Sequence, residues 1–264
     1  GVITASVGTF NLNASNWSNT GTLGLSSGTL NLGGDFTAAN FGTFTRSGGV
    51  VNLTGNITNT GNTLDIGNAG LFGTGSLGTF SGSIINGTLV SNDGTTLTSS
   101  NGTLNAVTLG SNLTESGILN IRNSLTLANG IVVNKGNSQW NFTTTGALPI
   151  AMLGGTGSAT INNAGGSLIA GFSIAGQTLE IGSGVTIQGY GSLTRSSAAT
   201  ITNNGSIIGN TAGQTFTISP TTFNNNGNLS LTAGTMTLSP TTFTNTGVIT
   251  ASVGTFNLNA SNWS

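Results

Sequence analysis

Large apolar residues return along this chain at a spacing of about 20 residues, and they return with their neighbours, as in a repeat architecture. From Phe223 the landmarks Gly227, Leu229, Leu231, Gly234, Thr235, Met236 and Leu238 lead to Phe243. From Phe243 the same offsets give Gly247, Ile249, Ala251, Gly254, Thr255, Phe256 and Leu258, ending at Trp263. From Trp17 they give Gly21, Leu23, Leu25, Gly28, Thr29, Leu30 and Leu32, with Phe36 one position early. Preserved residue type at preserved spacing is the mark of an architecture in which like positions stack.

Each template holds two pairs of apolar residues with one residue between them, the period-2 pattern of short strands with one face turned inward. A glycine precedes each pair, where positive φ would let the chain turn a corner. The recurring Phe or Trp supplies a third inward position, so Trp17, Phe36, Phe223, Phe243 and Trp263 are expected to form a core aromatic stack. Three short strands and three corners per repeat close into a coil, and successive coils pair in parallel. The expected fold is all-β: a parallel β-helix, or β-solenoid. Coils are uneven, the one from Trp17 to Phe36 being shorter than the one from Ile201 to Phe223, which favours the right-handed form over left-handed solenoids with strictly equal faces. Between about residues 62 and 160 the template fits loosely, which predicts insertions or a changed cross-section there.

Asparagine recurs two positions after the apolar anchor, at Asn19, Asn59, Asn203, Asn225 and Asn245, with Asn163 a sixth candidate. An amide can both donate and accept, so stacked asparagines are expected to form a ladder along the axis; independent turn asparagines are the alternative.

A longer period encloses the short one. Residues 1–18, GVITASVGTFNLNASNWS, recur letter for letter as residues 247–264. The chain therefore reads as one full repeat, 1–246, followed by the start of the next, 247–264, within a single continuous solenoid over 1–264. Gly1 in place of an initiating Met and leader fits a slice of a longer array. Roughly 12 coils about 4.8 Å apart would advance one repeat by about 58 Å.

Composition narrows the function. Charged residues make up 3% of the chain, against about 25% in ordinary soluble proteins, and the net charge is −1 with no basic cluster, so no nucleic-acid partner is expected. Apolar runs such as Ala147 to Leu153 are far shorter than a membrane helix needs, so no membrane span is expected. Histidine and cysteine are absent, which removes the usual general base, nucleophile and metal ligands. Five acids remain, Asp35, Asp65, Asp93, Glu115 and Glu180. The pairs Asp93 with Glu115 and Glu115 with Arg122 lie about one coil or less apart, yet isolated surface charges or loop contacts are the simpler expectation. A single GGDF at residues 33–36 cannot build a stacked calcium array. Threonine alternation in SLTLANG, TFTIS and TMTL is too irregular for a flat ice-binding face. Trp140 and Tyr190 could stack on sugars, but Trp140 alternates with Phe142 as core strand residues do. Neither catalytic residues, nor a cofactor, nor a metal is expected.

The pattern F/W-x-N-x-G-x-[LI]-x-[LA]-x-x-G-T-[MFL]-x-L resembles the repetitive passenger regions of giant bacterial surface proteins, in the style of filamentous-haemagglutinin-like and autotransporter adhesins. The resemblance covers essentially the whole chain. It implies a right-handed parallel β-helix outside the cell, in a structural filament, stalk or sheath with an adhesive or biofilm role. The recurrence of residues 1–18 makes adjacent copies, end to end, the expected partners, with lateral self-association, favoured by the low charge, or surface glycans in addition. The alternative is an adhesin module whose lateral surface recognises a glycan or host molecule.

Overall fold

The computed structural model describes residues 1–264. Apart from two short 3-10 turns, Ala38–Phe41 and Leu153–Gly155, the regular structure is β-strand, and the strands pair in parallel from coil to coil. The strands form stacked parallel coils, a β-solenoid of about 12 turns spaced about 21 residues apart. The chain divides into two compact units, Gly1–Leu119 and Asn120–Ser264.

In the first unit, Val2–Ala5, Thr22–Leu25 and Thr43–Arg46 stack as a three-stranded sheet of their own. A second face carries Thr9–Leu12, Thr29–Leu32, Val50–Leu53 and Leu77–Phe80. A third carries Asp35–Phe36, Asn56–Thr58 and Ser83–Ile85. The template residues point inward as their period demands: Leu23, Leu25, Leu30, Leu32 and Phe36 are all buried.

In the second unit three columns run through successive coils. Leu148, Leu179, Ile201, Phe223, Phe243 and Trp263 are consecutive partners in one. Trp140, Leu168, Leu193, Ile218, Leu238 and Leu258 form the second. Val133, Ile161, Ile187, Ile207, Leu229 and Ile249 form the third. Each column stacks like on like, and all members before the last coil are buried. Trp140 and Phe142 lie in this core, fully buried.

Coil length varies more widely than the template predicts. Phe223 pairs with Phe243 and Met236 with Phe256, each one template period on, but Leu148 pairs with Leu179 and Ile57 with Ile84, well beyond one period. The longer coils fall mainly where the template is loose, and the excess leaves the ladders as loops. One such loop, residues 66–76, follows Thr63–Asp65 and buries Ile66 and Phe72. Arg46, at the end of the three-stranded sheet, fastens it: its Nη1 donates to Phe72 O at 2.9 Å and Ser76 O at 2.6 Å, and its Nη2 to Gly49 O at 2.6 Å.

The two template glycines serve different purposes, where one had been expected. Gly28, Gly234 and Gly254 turn corners at positive φ (78°, 76° and 109°). Gly227 and Gly247 do not. A Cβ on Gly247 would lie 2.1 Å from the Gly227 carbonyl oxygen, and one on Gly227 would lie 2.1 Å from that of Gly205. These glycines stack backbone on backbone, and it is the close approach of coils that excludes a side chain.

Candidate functional site

The chemistry of this chain is concentrated in side-chain ladders that run from coil to coil. The innermost is amide. Asn203 Nδ2 donates to Asn225 Oδ1 at 2.8 Å, and Asn225 Nδ2 to Asn245 Oδ1 at 2.7 Å. This ladder continues an apolar column: Ile150 and Ile181 occupy the same inward position in the preceding coils. Asn203 and Asn225 are fully buried, so their remaining groups must be satisfied by the corner itself. Asn203 Oδ1 accepts from Gly205 N at 3.2 Å, and Asn245 Nδ2 also reaches Gly247 O at 3.2 Å.

Asn19 and Asn59, expected in the same ladder, stand outside it. The Asn19 amide closes its own corner on Gly21 and donates to Phe41 O at 3.0 Å. In the next coil Asn40 is turned away to cap the 3-10 turn, where its Oδ1 accepts from Thr37 N at 2.6 Å. Asn59 donates to the Asn62 and Thr88 carbonyls at 3.1 and 3.2 Å, because its neighbouring coil offers main chain at that corner. Asn163 instead accepts from the buried Lys135 ammonium at 2.9 Å.

The five aromatic residues likewise separate into two groups. Phe223 and Phe243 are stacked, with centroids 5.7 Å apart and planes 9° from parallel. Trp17 packs on Phe36 at 4.9 Å, and Phe41 joins them at 5.7 and 5.8 Å. Trp263 pairs with Phe243 through the backbone but is 70% exposed, so it is not a core residue in this chain.

A second set of ladders lies on the outer faces, where the sequence reading assigned none. Asn31 Nδ2 donates to Asn11 Oδ1 at 2.7 Å, Asn52 Nδ2 to Asn31 Oδ1 at 2.9 Å, and Asn52 Oδ1 accepts from Thr79 N at 2.8 Å. Asn134, Asn162 and Gln188 repeat the arrangement at 2.8 Å per step, as do Asn204, Asn226 and Thr246 at 2.9 Å. The signal was present as TFNL, TLNL and VVNL, with Asn between two inward residues at about coil spacing.

Asp35, Asp65 and Asp93 accept hydrogen bonds at coil edges and in loops. No three or more His, Cys, Asp or Glu side chains come together. Asp35 accepts from the Asn56 amide at 2.7 Å, continuing an outer column. Asp65 and Asp93 organise loops: Asp93 Oδ2 accepts from the backbone and side chain of Asn68, both at 2.8 Å, and its Oδ1 accepts from Thr95 N at 3.0 Å. These hydrogen bonds, the Asn68 backbone donor first, hold the exposed Asp93 carboxyl at about 2. Glu115 is buried, where a surface charge or a loop contact had been expected. No helix is long and apolar enough to cross a membrane. A shallow groove of about 370 Å³ runs across the outer face of the three-stranded sheet, lined by Thr4, Thr22, Gly24, Thr45 and Arg46.

No protein-family model, curated protein or solved structure matches this chain.

Proposed function

We propose that this chain is part of a structural protein of an extracellular filament, stalk or sheath on a bacterial surface, built from tandem β-solenoid repeats joined in one continuous stack, with an adhesive or biofilm role. The observation that carries this reading is the columnar pairing, in which Leu148, Leu179, Ile201, Phe223, Phe243 and Trp263 are successive partners. Such a stack gains stability with every coil added and has no natural length limit. Outer faces carrying short uncharged ladders supply little electrostatic repulsion, which favours lateral bundling into a sheath. No cofactor enters the reading, and no catalytic residues are assigned.

Immunogold labelling of intact source cells tests it. Label along surface fibres, removed by external protease, is the expected result; label reached only after cell lysis sinks the reading.

The second reading, a lateral glycan- or host-binding module, draws on the 66–76 loop and the groove beside Arg46. In that case saturable binding of a glycan would be lost on substituting Thr22 and Thr45.

A further inference from the structure

The segment present twice is seen in two settings. As residues 247–264 it pairs with the coil before: Ile249 with Leu229, Phe256 with Met236 and Trp263 with Phe243. As residues 1–18 it pairs with the coil after: Ile3 with Leu23, Phe10 with Leu30 and Asn11 with Asn31. On the first two faces the backbone groups used in the two settings are different. Toward the following coil the carbonyls of Gly1, Ala5, Gly8 and Leu12 accept hydrogen bonds. Toward the preceding coil the amides of Val248, Ser252 and Asn259 donate, and these are the positions of Val2, Ser6 and Asn13. One strand can make both sets at once. Exposure marks the same segment. At the inward position that Leu23 and Leu229 bury, Ile3 is 43% and Ile249 37% exposed, each with a neighbouring coil on one side only.

We infer that this segment is the joint between consecutive copies of the chain, one coil gripped on both sides, with the Phe223–Leu238 coil of one copy before it and the coil starting at Gly21 of the next copy after it. The inference rests on the tandem reading above and specifies its interface. The partner is a second copy of this chain, because both registers are already formed by identical residues. Two inner ladders become continuous across the joint. The Asn245 amide reaches the Asn19 side chain of the next copy as the fourth rung after Asn203 and Asn225. The Phe223–Phe243 stack is extended by Trp17 of the next copy, in the place that Trp263 takes opposite Phe243.

The joint also selects one of two conformations for the third face. In residues 1–18, Asn16 sits in a turn at φ 55° and its amide bonds to Asp35 O at 2.9 Å. In residues 247–264 the equivalent Asn262 is in a strand and its amide bonds to Thr241 O at 3.0 Å. A single amide cannot do both. Residues 247–264 show the strand form with a coil before them, and in the joint that form would release the Asp35 contact and place the tryptophan opposite Phe243.

The chain has no cysteine, which makes a cross-link test clean. In a two-copy chain, made by continuing the natural one with a second copy of residues 19–264, Asn245→Cys is combined with Asn19→Cys of the second copy. Neighbouring strands about 4.8 Å apart lie within disulfide reach. The control is Asn225→Cys with Asn245→Cys, whose positions are direct partners. Cross-linking of the joint pair to the level of the control is expected; a linked control with no linked joint overturns the proposal. Collisional quenching decides independently of these variants. The emission lost on Trp263→Phe in the two-copy chain should be shielded, and emission as accessible as that of Trp263 in the single chain also overturns it. Both readouts are made on purified protein, so a failed joint leaves the surface assignment standing, and intracellular label leaves the joint standing.

Discussion

Asn225 and Asn245 occupy the same inward corner of consecutive coils, and the amide of the first donates to the side-chain carbonyl of the second at 2.7 Å. A polar column in an otherwise apolar core holds only while every buried amide is hydrogen-bonded, because one left without partners costs about 1–3 kcal/mol. Asn225→Ala removes the middle rung and takes a partner from both Asn203 and Asn245, so a loss of about 1–3 kcal/mol in chemical denaturation is expected. The solvent-facing Asn31→Ala breaks a ladder of the same geometry but leaves groups that water can satisfy, and it should cost within about 0.5 kcal/mol. Equal costs for the two variants would contradict the distinction drawn between inner and outer ladders.

Gly227 and Gly213 separate the two reasons for glycine. Gly213 has φ 72° with open space around it, so Gly213→Ala should cost about 1–2 kcal/mol, the left-handed backbone penalty. Gly227→Ala drives a methyl to within 2.1 Å of the Gly205 carbonyl oxygen and must push two coils apart. Its thermal midpoint should fall well below that of Gly213→Ala; the reverse order would show that coil spacing there is slack.

Inner and outer ladders also show what a sequence of this kind discloses. Coil, inward columns and corner glycines were legible because the period-2 apolar pairs repeat with residue type preserved, as at Phe223 and Phe243. The Asn203–Asn225–Asn245 ladder followed from spacing alone. That Asn19 and Asn59 would leave it was not legible, because it depends on what the next coil presents: a 3-10 turn after Asn19, bare carbonyls after Asn59. The loose template between about residues 62 and 160 pointed to insertions, but the lengths of the coils from Ile57 to Ile84 and from Leu148 to Leu179 were not legible, since a loop that leaves the stack keeps no period. The outer Asn11–Asn31–Asn52 column was visible in TFNL, TLNL and VVNL, but attention to inward positions passes over it.

Arg46 holds a loop by a guanidinium fork directed at several carbonyls, a geometry that a lysine ammonium does not reproduce. Burial of this side chain lowers its pKa, although arginine remains charged at any ordinary pH. Arg46→Lys should therefore leave the coils folded while residues 66–76 become sensitive to limited proteolysis. A loop as resistant as before would place its anchorage in Phe72 packing instead.

Asp93 gives a local acid response. Its folded value is depressed from 3.8 to about 2, so its contribution to the loop is complete above the unfolded value and is lost as pH falls through the folded one. Amide exchange at Asn68 and Thr95 should accelerate selectively below about pH 4, relative to core amides, as the carboxylate protonates. In Asp93→Asn that selective acid response should disappear. Persistence of the response in the variant would assign it to another group.

The proposed tandem assembly stacks coils along one axis through successive copies. Electron diffraction or image-derived layer lines from native fibres test this most directly. A meridional spacing near about 4.8 Å, with a longer repeat near about 58 Å for one copy, is the predicted result. Discrete particles without axial periodicity would contradict it.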